Sequence, residues 1–595
     1  MPLSAHEGHP SPLLMREAVA VLDRQSGFRI DHDDVGLRDR WYAPTAEFDR
    51  TILLPFSPES PASGVNDTGY HRVVWYRIPY TAADLAAAGS SEGRSRMLLH
   101  FGAVDDSADV WVDGVHVGRH EGGQSAFAFD ITHAVSPDGG VITVRAEDDP
   151  LDVTIPRGKQ DWMPQPHVIW YYRVTGIWRS VWLEAVPEVH VARLSSRASA
   201  ESAQVELRLE LNRRPDSGTV EVRLAHDGVP LARATVAVDG EDRPVITVPL
   251  PVQRNGQAYE ELLWSPERPT LLEVSIEVHA DGSDDLVASY VGLRSTAVDR
   301  GAFLLNDRPV FVRSVLEQGY WPESHYTPPS ADAARAEVEL VKNLGFNAIR
   351  IHQKVEDPRF LFWCDVLGVM VWGEIGGAYE FSDHAVERLT RQWAEVVRQY
   401  SSHPSIVTWV PVNESWGVQH GAHDPAQRAF AVSLANLTRA LDPTRPVISN
   451  DGWEHTDSDI LTIHDYTDSG DEFLARYDDP AALAAAIDGM GPAGRRLTLA
   501  AHAPGLPVMV TEFGGVHFDP GREEGWGYSS ATDADDFAAR VGGLLSAANR
   551  ARTLSGFCYT QLTDTAQEKN GLSTEDRVPK LDPVVIAHAV RGEVL

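Results

Sequence analysis

The sequence is poor in cysteine and contains no long apolar stretch. Its 595 residues include two cysteines, Cys364 in FLFWCDVLG and Cys558 in GFCYTQ. Because both have apolar neighbours, they indicate small core residues and argue against a disulfide framework or a cysteine metal site. No apolar run approaches the length of a membrane-spanning helix, and the N-terminus lacks the pattern of a signal peptide. We therefore expect a soluble, cytoplasmic protein.

Basic residues are scarce relative to acidic ones. Lys and Arg total 52 against 86 Asp and Glu, which gives a formal net charge of -34. A surface of this sign repels nucleic-acid phosphates and anionic lipids, so we expect neither nucleic acid nor a membrane as partner. Hydrophobic residues make up 43% of the chain, a value typical of globular proteins. The length predicts several domains, roughly three or four.

Two all-β domains are predicted in the first half of the chain. In residues 1–187, short alternating runs such as VWVDGVHVG are separated by turns rich in Gly, Asp and Pro, a pattern typical of a jelly-roll β-sandwich. The Asp-Gly pair in that run predicts a two-residue type I′ hairpin turn. Residues 188–297 contain alternating runs such as QVELRLELN and TVEVRLAHD, at the spacing of an immunoglobulin-like β-sandwich. We predict that this second domain is a brace without chemistry of its own.

From residue 298 to 595, apolar runs alternate with amphipathic segments. Eight of these runs are candidate strands, from VFVRSVLE to SGFCYTQLTD, and the fifth is VISND. Eight βα units in roughly 300 residues are what a closed (β/α)8 TIM barrel requires. The predicted fold is therefore a jelly roll, an immunoglobulin-like sandwich and a catalytic barrel.

Polar and aromatic side chains follow almost every predicted barrel strand, at the end where barrel enzymes carry their sites. Because they recur at so many strand ends, they predict a polar pocket with aromatic walls, which suits a polyhydroxylated ligand. These residues are Arg350, His352, Trp372, Glu374, Asn413, Glu414, Asn450, Asp451, His464, Tyr466, Glu512, Tyr559, Gln561 and Asp564.

Two of these carboxylates are candidates for catalysis. Glu414 and Glu512 follow the apolar runs IVTWVPV and VMVT, where an unpaired charge is costly. Strands four and seven face each other across an eight-stranded barrel, so the pair could supply the acid/base and the nucleophile of a glycosidase. The alternative is a structural ion pair, for example with Arg350. No HxH or HExxH spacing occurs, and we expect no metal and no cofactor.

The segment HPSIVTWVPVNESWG resembles the acid/base segment of glycoside hydrolase family 2, the β-galactosidase, β-glucuronidase and β-mannosidase family. VMVTEFGG resembles that family's nucleophile segment, and NAIRIHQ its other signature. The resemblance covers almost the whole chain. It implies Glu414 as acid/base, Glu512 as nucleophile and Asn413 as the residue that holds the sugar 2-hydroxyl. It also implies a raised pKa for Glu414, with Trp409 and Trp416 as candidate apolar walls.

Other candidate roles rest on the same resemblance. A loop of the first domain reaches the barrel mouth in family members, although a buried aromatic cluster is the favoured alternative for it. Family members often have Tyr after the nucleophile, whereas this chain has Phe513, so another donor must steady Glu512. Each further candidate for sugar binding could equally be a core residue bonded to its neighbours, and Glu374 could orient Arg350 instead of binding the sugar. These candidates are Arg350, His352, Trp372, Glu374, His464, Tyr466, Tyr559 and Gln561 in the barrel, and Asp161, Trp162 and Trp170 in the loop.

The predicted activity is that of a retaining, exo-acting glycoside hydrolase that removes a terminal sugar. A β-galactosidase-like specificity is the default, because PFSPES and YTQLTD resemble sequences of that description. The alternatives are a β-glucuronidase, weakly supported by Lys569-Asn570, a β-mannosidase, and a β-galactofuranosidase or α-L-arabinosidase. A non-catalytic carbohydrate-binding protein and a transglycosidase also remain open. Family members are often dimers or tetramers, so we expect a homo-oligomer that acts on an oligosaccharide or a glycoside.

Overall fold

In the computed structural model the chain forms two β-sandwiches followed by a barrel of alternating strands and helices, which confirms the predicted fold class. The structure describes residues 2–90, 95–519, 521 and 525–593. No helix in these ranges is long and apolar enough to cross a membrane.

The first sandwich has two main sheets. Its strands are β1 (Ala20–Val21), β2 (Gln25–Ile30), β3 (Arg50–Leu53), β4 (Val73–Thr81), β5 (Arg96–Phe101), β6 (Val104–Asp105), β7 (Ser107–Val112), β8 (Val115–Glu121), β9 (Phe127–Asp130), β10 (Gly139–Glu147), β11 (Gly176–Ile177) and β12 (Val181–Val186), with helix α1 (Ala82–Ala87) after β4. The sheet orders are β1-β12-β5-β9 and β3-β2-β4-β10-β7-β8. Between β7 and β8, Asp113 and Gly114 have φ values of 47° and 82°, as the predicted two-residue turn requires.

The second sandwich has seven strands in two antiparallel sheets, ordered β13-β14-β17 and β16-β15-β18-β19. These strands are β13 (Val191–Ser199), β14 (Gln204–Leu211), β15 (Gly218–His226), β16 (Val229–Ala237), β17 (Val245–Pro249), β18 (Leu272–Ala280) and β19 (Ser283–Val291). Three short strands then lead to the barrel: β20 (Thr296–Asp299), β21 (Ala302–Leu305) and β22 (Arg308–Pro309).

The second sandwich is anchored to the barrel through buried polar contacts. Tyr290 donates its hydroxyl to Asp365 at 2.8 Å, and Trp264 donates its indole N–H to the main-chain oxygen of the same residue at 2.7 Å. Both rings are fully buried in the core of the barrel. This sandwich therefore buttresses the outside of the barrel, in line with the brace predicted for it.

The barrel sheet is parallel and has the order β26-β25-β24-β23-β31-β28-β27. Its elements are β23 (Val312–Glu317), α2 (Ala331–Asn343), β24 (Ala348–Ile351), α3 (Pro358–Leu367), β25 (Met370–Glu374), α4 (Asp383–Tyr400), β26 (Ile406–Val410), α5 (Pro425–Leu441), β27 (Leu461–His464), α6 (Gly470–Tyr477), α7 (Pro480–Asp488), β28 (Val508–Gly514), β29 (Val516–His517), β30 (Ser529–Ser530), α8 (Ala534–Arg550), β31 (Gly556–Thr560) and α9 (Pro583–Arg591).

The predicted fifth strand is irregular. Residues 447–451 are joined to the segment of β26 by two isolated parallel bridges, Trp409 with Val447 and Asn413 with Asp451. Side chains take the place of ladder partners: Val447 N–H donates to an Asp459 carboxylate oxygen at 2.7 Å. Because main-chain donors of this segment bond to side chains, it adopts an extended course without becoming a regular strand. It still delivers Asp451 to the same end of the barrel as its neighbours.

Candidate active site

Arg350, at the end of β24, is the centre of a buried charged network at the carboxyl end of the barrel. Its Nε donates to Glu374 Oε2 at 2.9 Å, and its Nη2 donates to Asn413 Oδ1 at 2.8 Å. Its Nη1 lies 2.7 Å from Asp451 Oδ2 and 3.0 Å from Glu512 Oε1. A guanidinium carries five donors in a rigid fork, so one side chain can hold several acceptors in fixed positions. Arg350 thereby ties together the ends of four neighbouring segments.

Glu512, on β28, has both carboxylate oxygens engaged. Oε1 accepts from Arg350, and Oε2 accepts from the hydroxyl of Tyr466 at 2.7 Å. Tyr466 follows β27, and it takes the position of the donor that Phe513 cannot provide. The two donors fix the orientation of a carboxylate that is 6% exposed toward the mouth.

Glu414 lies in a strained turn directly after β26. Glu414 and Ser415 have φ values of 52° and 58°, in the left-handed region that non-glycine residues rarely occupy. The turn is held by Glu414 N–H donating to Asp451 O at 3.0 Å and Ser415 N–H donating to Asn450 Oδ1 at 2.9 Å. Strain of this kind persists where the surroundings impose it, and it clusters at functional sites. Here it brings Glu414 Oε1 to 2.8 Å from His464 Nδ1.

His464 links the two glutamates electrostatically. Its other ring nitrogen, Nε2, lies 2.7 Å from Asp451 Oδ2, and Nδ1 is also 3.4 Å from Glu512 Oε2. Burial alone would lower the pKa of His464, but the charges and hydrogen bonds of Glu512, Asp451 and Glu414 raise it to about 10. The histidine is therefore an imidazolium at neutral pH.

The same contact controls Glu414. Burial would raise the pKa of Glu414, but the hydrogen bond and charge of His464 outweigh burial and lower that pKa. The prediction of a raised pKa for Glu414 is therefore wrong. It took account of the apolar wall and of Glu512, and it overlooked the protonated histidine. Trp409 is not such a wall, since its ring is buried in the barrel and its Nε1 donates to Asp442.

The two glutamates are close together. Glu414, His464 and Glu512 each present one atom, and these three atoms lie within 4.8 Å of one another. Retaining glycosidases hold their two carboxyl groups about 5–5.5 Å apart, whereas inverting enzymes hold them about 6.5–9.5 Å apart. Three such groups could also bracket a cation, but Arg350 and the imidazolium already bring positive charge to these oxygens, which disfavours a metal ion.

Two further candidates, His352 and Glu374, contact Arg350. His352 is 3% exposed, with Nδ1 3.2 Å from Arg350 Nη2 and 3.4 Å from Glu374 Oε1. Burial, helped by the charges of Lys159 and Arg350, holds the pKa of His352 well below its usual value, so it is neutral. Glu374 also accepts from the main-chain N–H of Gln353, and burial raises its pKa to about 7 against the attraction of Arg350. These contacts favour the role of Glu374 as an orienter of Arg350.

Three other candidates lie in the core. Trp372 is 1% exposed, and Tyr559 is fully buried with its ring 5.4 Å from that of Phe513. Gln561 is fully buried between Gln318, which donates to it at 2.9 Å, and Asn570, which accepts from it at 2.7 Å. The contacts of Gln561 are those of a packing residue. Trp372 Nε1 and the Tyr559 hydroxyl have no hydrogen-bond partner among the described residues, so a role for these two in sugar binding stays a prediction.

The loop of the first sandwich adds an aromatic rim. Trp162 and Trp170 lie 4.8 Å apart by ring centroid, and Trp170 lies 5.6 Å from Trp416, two residues after Glu414. These rings are half-buried, so they border the mouth rather than form a closed core. Asp161 differs, because both its oxygens accept from donors of its own loop, including His167 N–H at 2.9 Å. We expect Asp161 to shape the loop and not to bind sugar.

Sequence reasoning missed two side chains of this site. Asp451 was noted at a strand end without a role, yet it joins Arg350 to His464. Lys159, which precedes the aromatic loop, is 6% exposed and acts electrostatically on His352 and Glu414. The position of Asp451 after an apolar run was an available signal. Nothing in the sequence distinguished Lys159 from a solvated loop lysine.

Comparison with known sequences points the same way. The profile "Glycosyl hydrolases family 2, TIM barrel domain" matches residues 296–476. A β-glucuronidase of Canis lupus familiaris is 26% identical over 483 residues, which cover 73% of this chain and 69% of the relative. A β-galactosidase of Thermoanaerobacter pseudethanolicus is 23% identical over 410 residues, 66% of this chain and 51% of that protein. The chain thus spans about half to two thirds of the curated relatives it matches, and 47% of one from Formosa agariphila.

Solved structures share the whole fold. A Ruminococcus gnavus β-glucuronidase in complex with D-glucuronic acid superposes with a TM-score of 0.76 at 16% identity, covering 98% of this chain and 99% of that one. A β-galacturonidase from Eisenbergiella tayi superposes with a TM-score of 0.72 at 19% identity, covering 97% and 96%. The barrel thus matches the TIM barrel domain of glycoside hydrolase family 2 over residues 296–476, and the curated relatives that match the chain are glycosidases. The solved structures show that the whole chain shares their fold.

Proposed function

We propose that the chain is a retaining, exo-acting glycoside hydrolase that removes a terminal sugar by double displacement, with Glu512 as nucleophile and Glu414 as acid/base. The observation that supports this most directly is the distance between the two carboxylates, which have oxygens within 4.8 Å of each other.

In the first step, Glu512 attacks the anomeric carbon and the bond from that carbon to the glycosidic oxygen breaks. Glu414 gives a proton to the departing oxygen, and the sugar becomes an ester of Glu512. In the second step, Glu414 takes a proton from water, and the oxygen of that water displaces Glu512 from the anomeric carbon. Two inversions leave the sugar with its original configuration.

His464 accounts for the proton that Glu414 needs. Before the reaction the proton is on His464, and its transfer along the 2.8 Å hydrogen bond to Glu414 leaves the total charge of the pair unchanged. Esterification of Glu512 then removes the strongest attraction that raises the pKa of His464 against burial. The number of protons that Glu414 and His464 hold together therefore depends on whether Glu512 is a free carboxylate or an ester. Glu414 needs this dependence, because it acts first as an acid and then as a base.

Asn413 supports the same proposal. Its Oδ1 accepts from Arg350, which fixes the direction of the amide. Its Nδ2 is buried without a hydrogen-bond partner among the described residues. A buried donor without a partner is costly, so this N–H₂ group is suited to the 2-hydroxyl of a bound sugar.

A β-uronide is a second candidate for the sugar, beside the β-galactoside predicted from the sequence. The observation that favours it is Lys159, a residue that is 6% exposed and whose charge acts on Glu414. The carboxylate-binding pair suggested by Lys569-Asn570 receives less support, because Lys569 Nζ lies 3.6 Å from Glu575 and Asn570 donates to Glu568 at 2.8 Å.

The test is a panel of p-nitrophenyl glycosides: β-galactoside, β-glucuronide, β-galacturonide, β-mannoside, β-galactofuranoside and α-L-arabinosides. We expect wild type to cleave at least one, and Glu512→Gln to lose about a thousandfold or more in kcat. Glu337→Gln is the matched control, because it removes a buried carboxylate of α2 that pairs with Arg577 at the outside of the barrel. If wild type cleaves nothing while Glu512→Gln binds sugar as tightly as wild type, the chain is a binding protein and the proposal is wrong.

A further inference from the structure

The first sandwich places a loop directly on the strand ends of the barrel. Gly158 N–H donates to Gly377 O at 3.2 Å, and Gly158 has a φ of +60°. A side-chain Cβ at Gly158 would come within 2.3 Å of Gln353 O, so only glycine permits this approach. Gln353 and Gly377 follow β24 and β25, the strands that end in Arg350–His352 and Glu374. The next residue of the loop, Lys159, is thereby held at the pocket.

Lys159 differs from the other lysines of the chain. Lys354 lies 2.7 Å from Glu356, Lys580 lies 2.7 Å from Asp564, and Lys569 lies 3.6 Å from Glu575. Lys342 donates to the main-chain oxygen of Leu367. The ammonium of Lys159, by contrast, has no hydrogen-bond acceptor and no carboxylate within 4 Å among the residues that the structure describes, although the residue is only 6% exposed.

The surroundings of Lys159 identify the space that its ammonium faces. Burial lowers the pKa of His352, and the charge of Lys159 lowers it further. Burial raises the pKa of Glu414, and the charge of Lys159, after that of His464, acts against burial. The charge of Lys159 also counteracts the burial that raises the pKa of Glu568. These three residues belong to different strand ends of the barrel. The ammonium is therefore near enough to all three to act on them, at the end of the barrel that carries the candidate site.

Glu568 does not satisfy this ammonium. One of its oxygens accepts from the Asn570 amide at 2.8 Å, and the other accepts from the hydroxyl of Tyr171. Both donors are uncharged and both are buried. Each oxygen of Glu568 already accepts a hydrogen bond, and neither lies within 4 Å of the Lys159 ammonium. Glu568 is therefore not a direct partner of Lys159.

We infer that Lys159 is a specificity-determining residue which the first sandwich contributes to the barrel pocket, and that it binds the carboxylate of a terminal uronic acid. The inference rests on the proposed function, because it assigns the sugar for that site. Buried charges are normally paired, and a carboxylate would pair this one, whereas a hydroxyl would leave its charge unbalanced. A site built for a charged group also rejects the analogue that lacks it.

The experiment compares sugars that differ only at C6. The substrates are the p-nitrophenyl β-glucuronide with the β-glucoside, and the β-galacturonide with the β-galactoside. Lys159→Met keeps the length of the side chain and removes its charge, Lys159→Arg keeps the charge, and Lys569→Met is the control lysine that faces Glu575. We expect the wild type to have a higher kcat/KM on a uronide than on the neutral glycoside paired with it. Lys159→Met should lose about a hundredfold in kcat/KM on that uronide and less than about fivefold on the paired neutral glycoside. Lys159→Arg should retain part of the preference, and Lys569→Met all of it.

A preference of wild type for the neutral sugars, or an equal loss on both members of a pair in Lys159→Met, would overturn the inference. Binding separates this failure from that of the proposed function. Glucuronate, galacturonate, glucose and galactose are titrated calorimetrically into Glu512→Gln, with and without Lys159→Met. If a uronate binds and the Lys159→Met exchange abolishes that binding, the inference holds even where no glycoside is cleaved. If no uronate binds, it fails, whichever glycoside is hydrolysed. Unchanged thermal melting shows that the variants are folded.

Discussion

The first sandwich and the barrel mouth each bury a cluster of carboxylates, and the two clusters hold their charge differently. In the sandwich, Asp105, Asp106 and Asp148 are all 5% exposed or less. Within the described part of the chain, the one ion pair of this cluster joins Asp148 to Arg157 at 3.8 Å. Burial, reinforced by the charge of Asp148, raises the pKa of Asp106 to about 7, and the pKa values of the other two are also raised.

At the barrel mouth the carboxylates are closely paired, and all but Glu414, whose side chain is 16% exposed, are as buried as those of the sandwich. Arg350 contacts three of them at 3.0 Å or less, and the imidazolium of His464 contacts two at 2.8 Å or less. Burial would raise the pKa of Asp451, yet Arg350 and His464 hold it well below its usual value. The pKa of Glu414 is also lowered, chiefly by His464 acting against burial.

Burial by itself favours the neutral carboxyl group, and closely placed cations can keep a carboxylate ionised, as they do for Asp451 and Glu414. Glu374 is the exception at the mouth, because burial outweighs Arg350 there and raises its pKa to about 7. In the sandwich cluster the paired cation, Arg157, is 3.8 Å from Asp148, and the aspartates are poised to take up protons. The comparison can be tested by removing charges from either cluster.

The largest expected effect is that of Arg350→Met. It leaves Glu374, Asp451 and Glu512 buried without their common partner, and breaking a buried ion pair on one side costs about 3–5 kcal/mol. We expect a large drop in melting temperature and a loss of about a hundredfold or more in kcat/KM. Arg294→Met is the matched control. Arg294 is also buried, but it donates to the main-chain oxygens of Pro404 and Ile406. That variant should lose stability and keep its kcat; if Arg350→Met also keeps its kcat, the electrostatic account of the mouth is contradicted.

A smaller effect, visible in pH dependence, is expected for His464→Asn. In wild type the proton that serves Glu414 is retained up to the pKa of His464, about 10. Without the histidine, Glu414 loses the hydrogen bond and the charge that do most to lower its pKa, and no imidazolium is left to hold the proton. The alkaline limb of kcat/KM should therefore move to lower pH, with the loss of rate greater at pH 9 than at pH 6. An alkaline limb at the wild-type position would show that His464 does not hold this proton.

The smallest effect is expected in the sandwich, from Asp106→Asn. The folded-state pKa of Asp106, about 7, lies above the usual value of 3.8, so the stability linked to its protonation is fully present below pH 3.8 and is lost as the pH rises from there through 7. The exchange should have little effect on melting temperature near pH 4 and should raise it by a few °C at pH 8, on the order of 1–2 kcal/mol. Activity should not change. A variant that is less stable than wild type at pH 8 would show that the buried aspartate is paired after all.

Much of the barrel could be predicted because its signals are local. Alternation of apolar runs with amphipathic segments specifies the βα order, and the carboxyl ends of parallel strands meet at one end of a barrel. Glu414, Glu512, Arg350 and His464 were therefore expected to converge before any geometry was known. The irregular course of residues 447–451 was hidden, because it depends on side chains such as Asp459 that bond the main chain from a following loop.

The rest depended on contacts between distant parts of the chain. The protonation of His464 comes from Glu414, Asp451 and Glu512, so it could be known only once the three were placed around it. Lys159 reaches the pocket because Gly158 allows one domain to touch another. Neither effect has a signature in the periodicity of a sequence.

The central claim is that Glu414 and Glu512 act by double displacement, and the configuration of the released sugar tests it most directly. Proton NMR is recorded during the first minutes of hydrolysis of the cleaved p-nitrophenyl glycoside, before the product equilibrates in water. The account predicts that the first anomer to appear has the configuration of the substrate. Appearance of the opposite anomer first would show a single displacement and would contradict it.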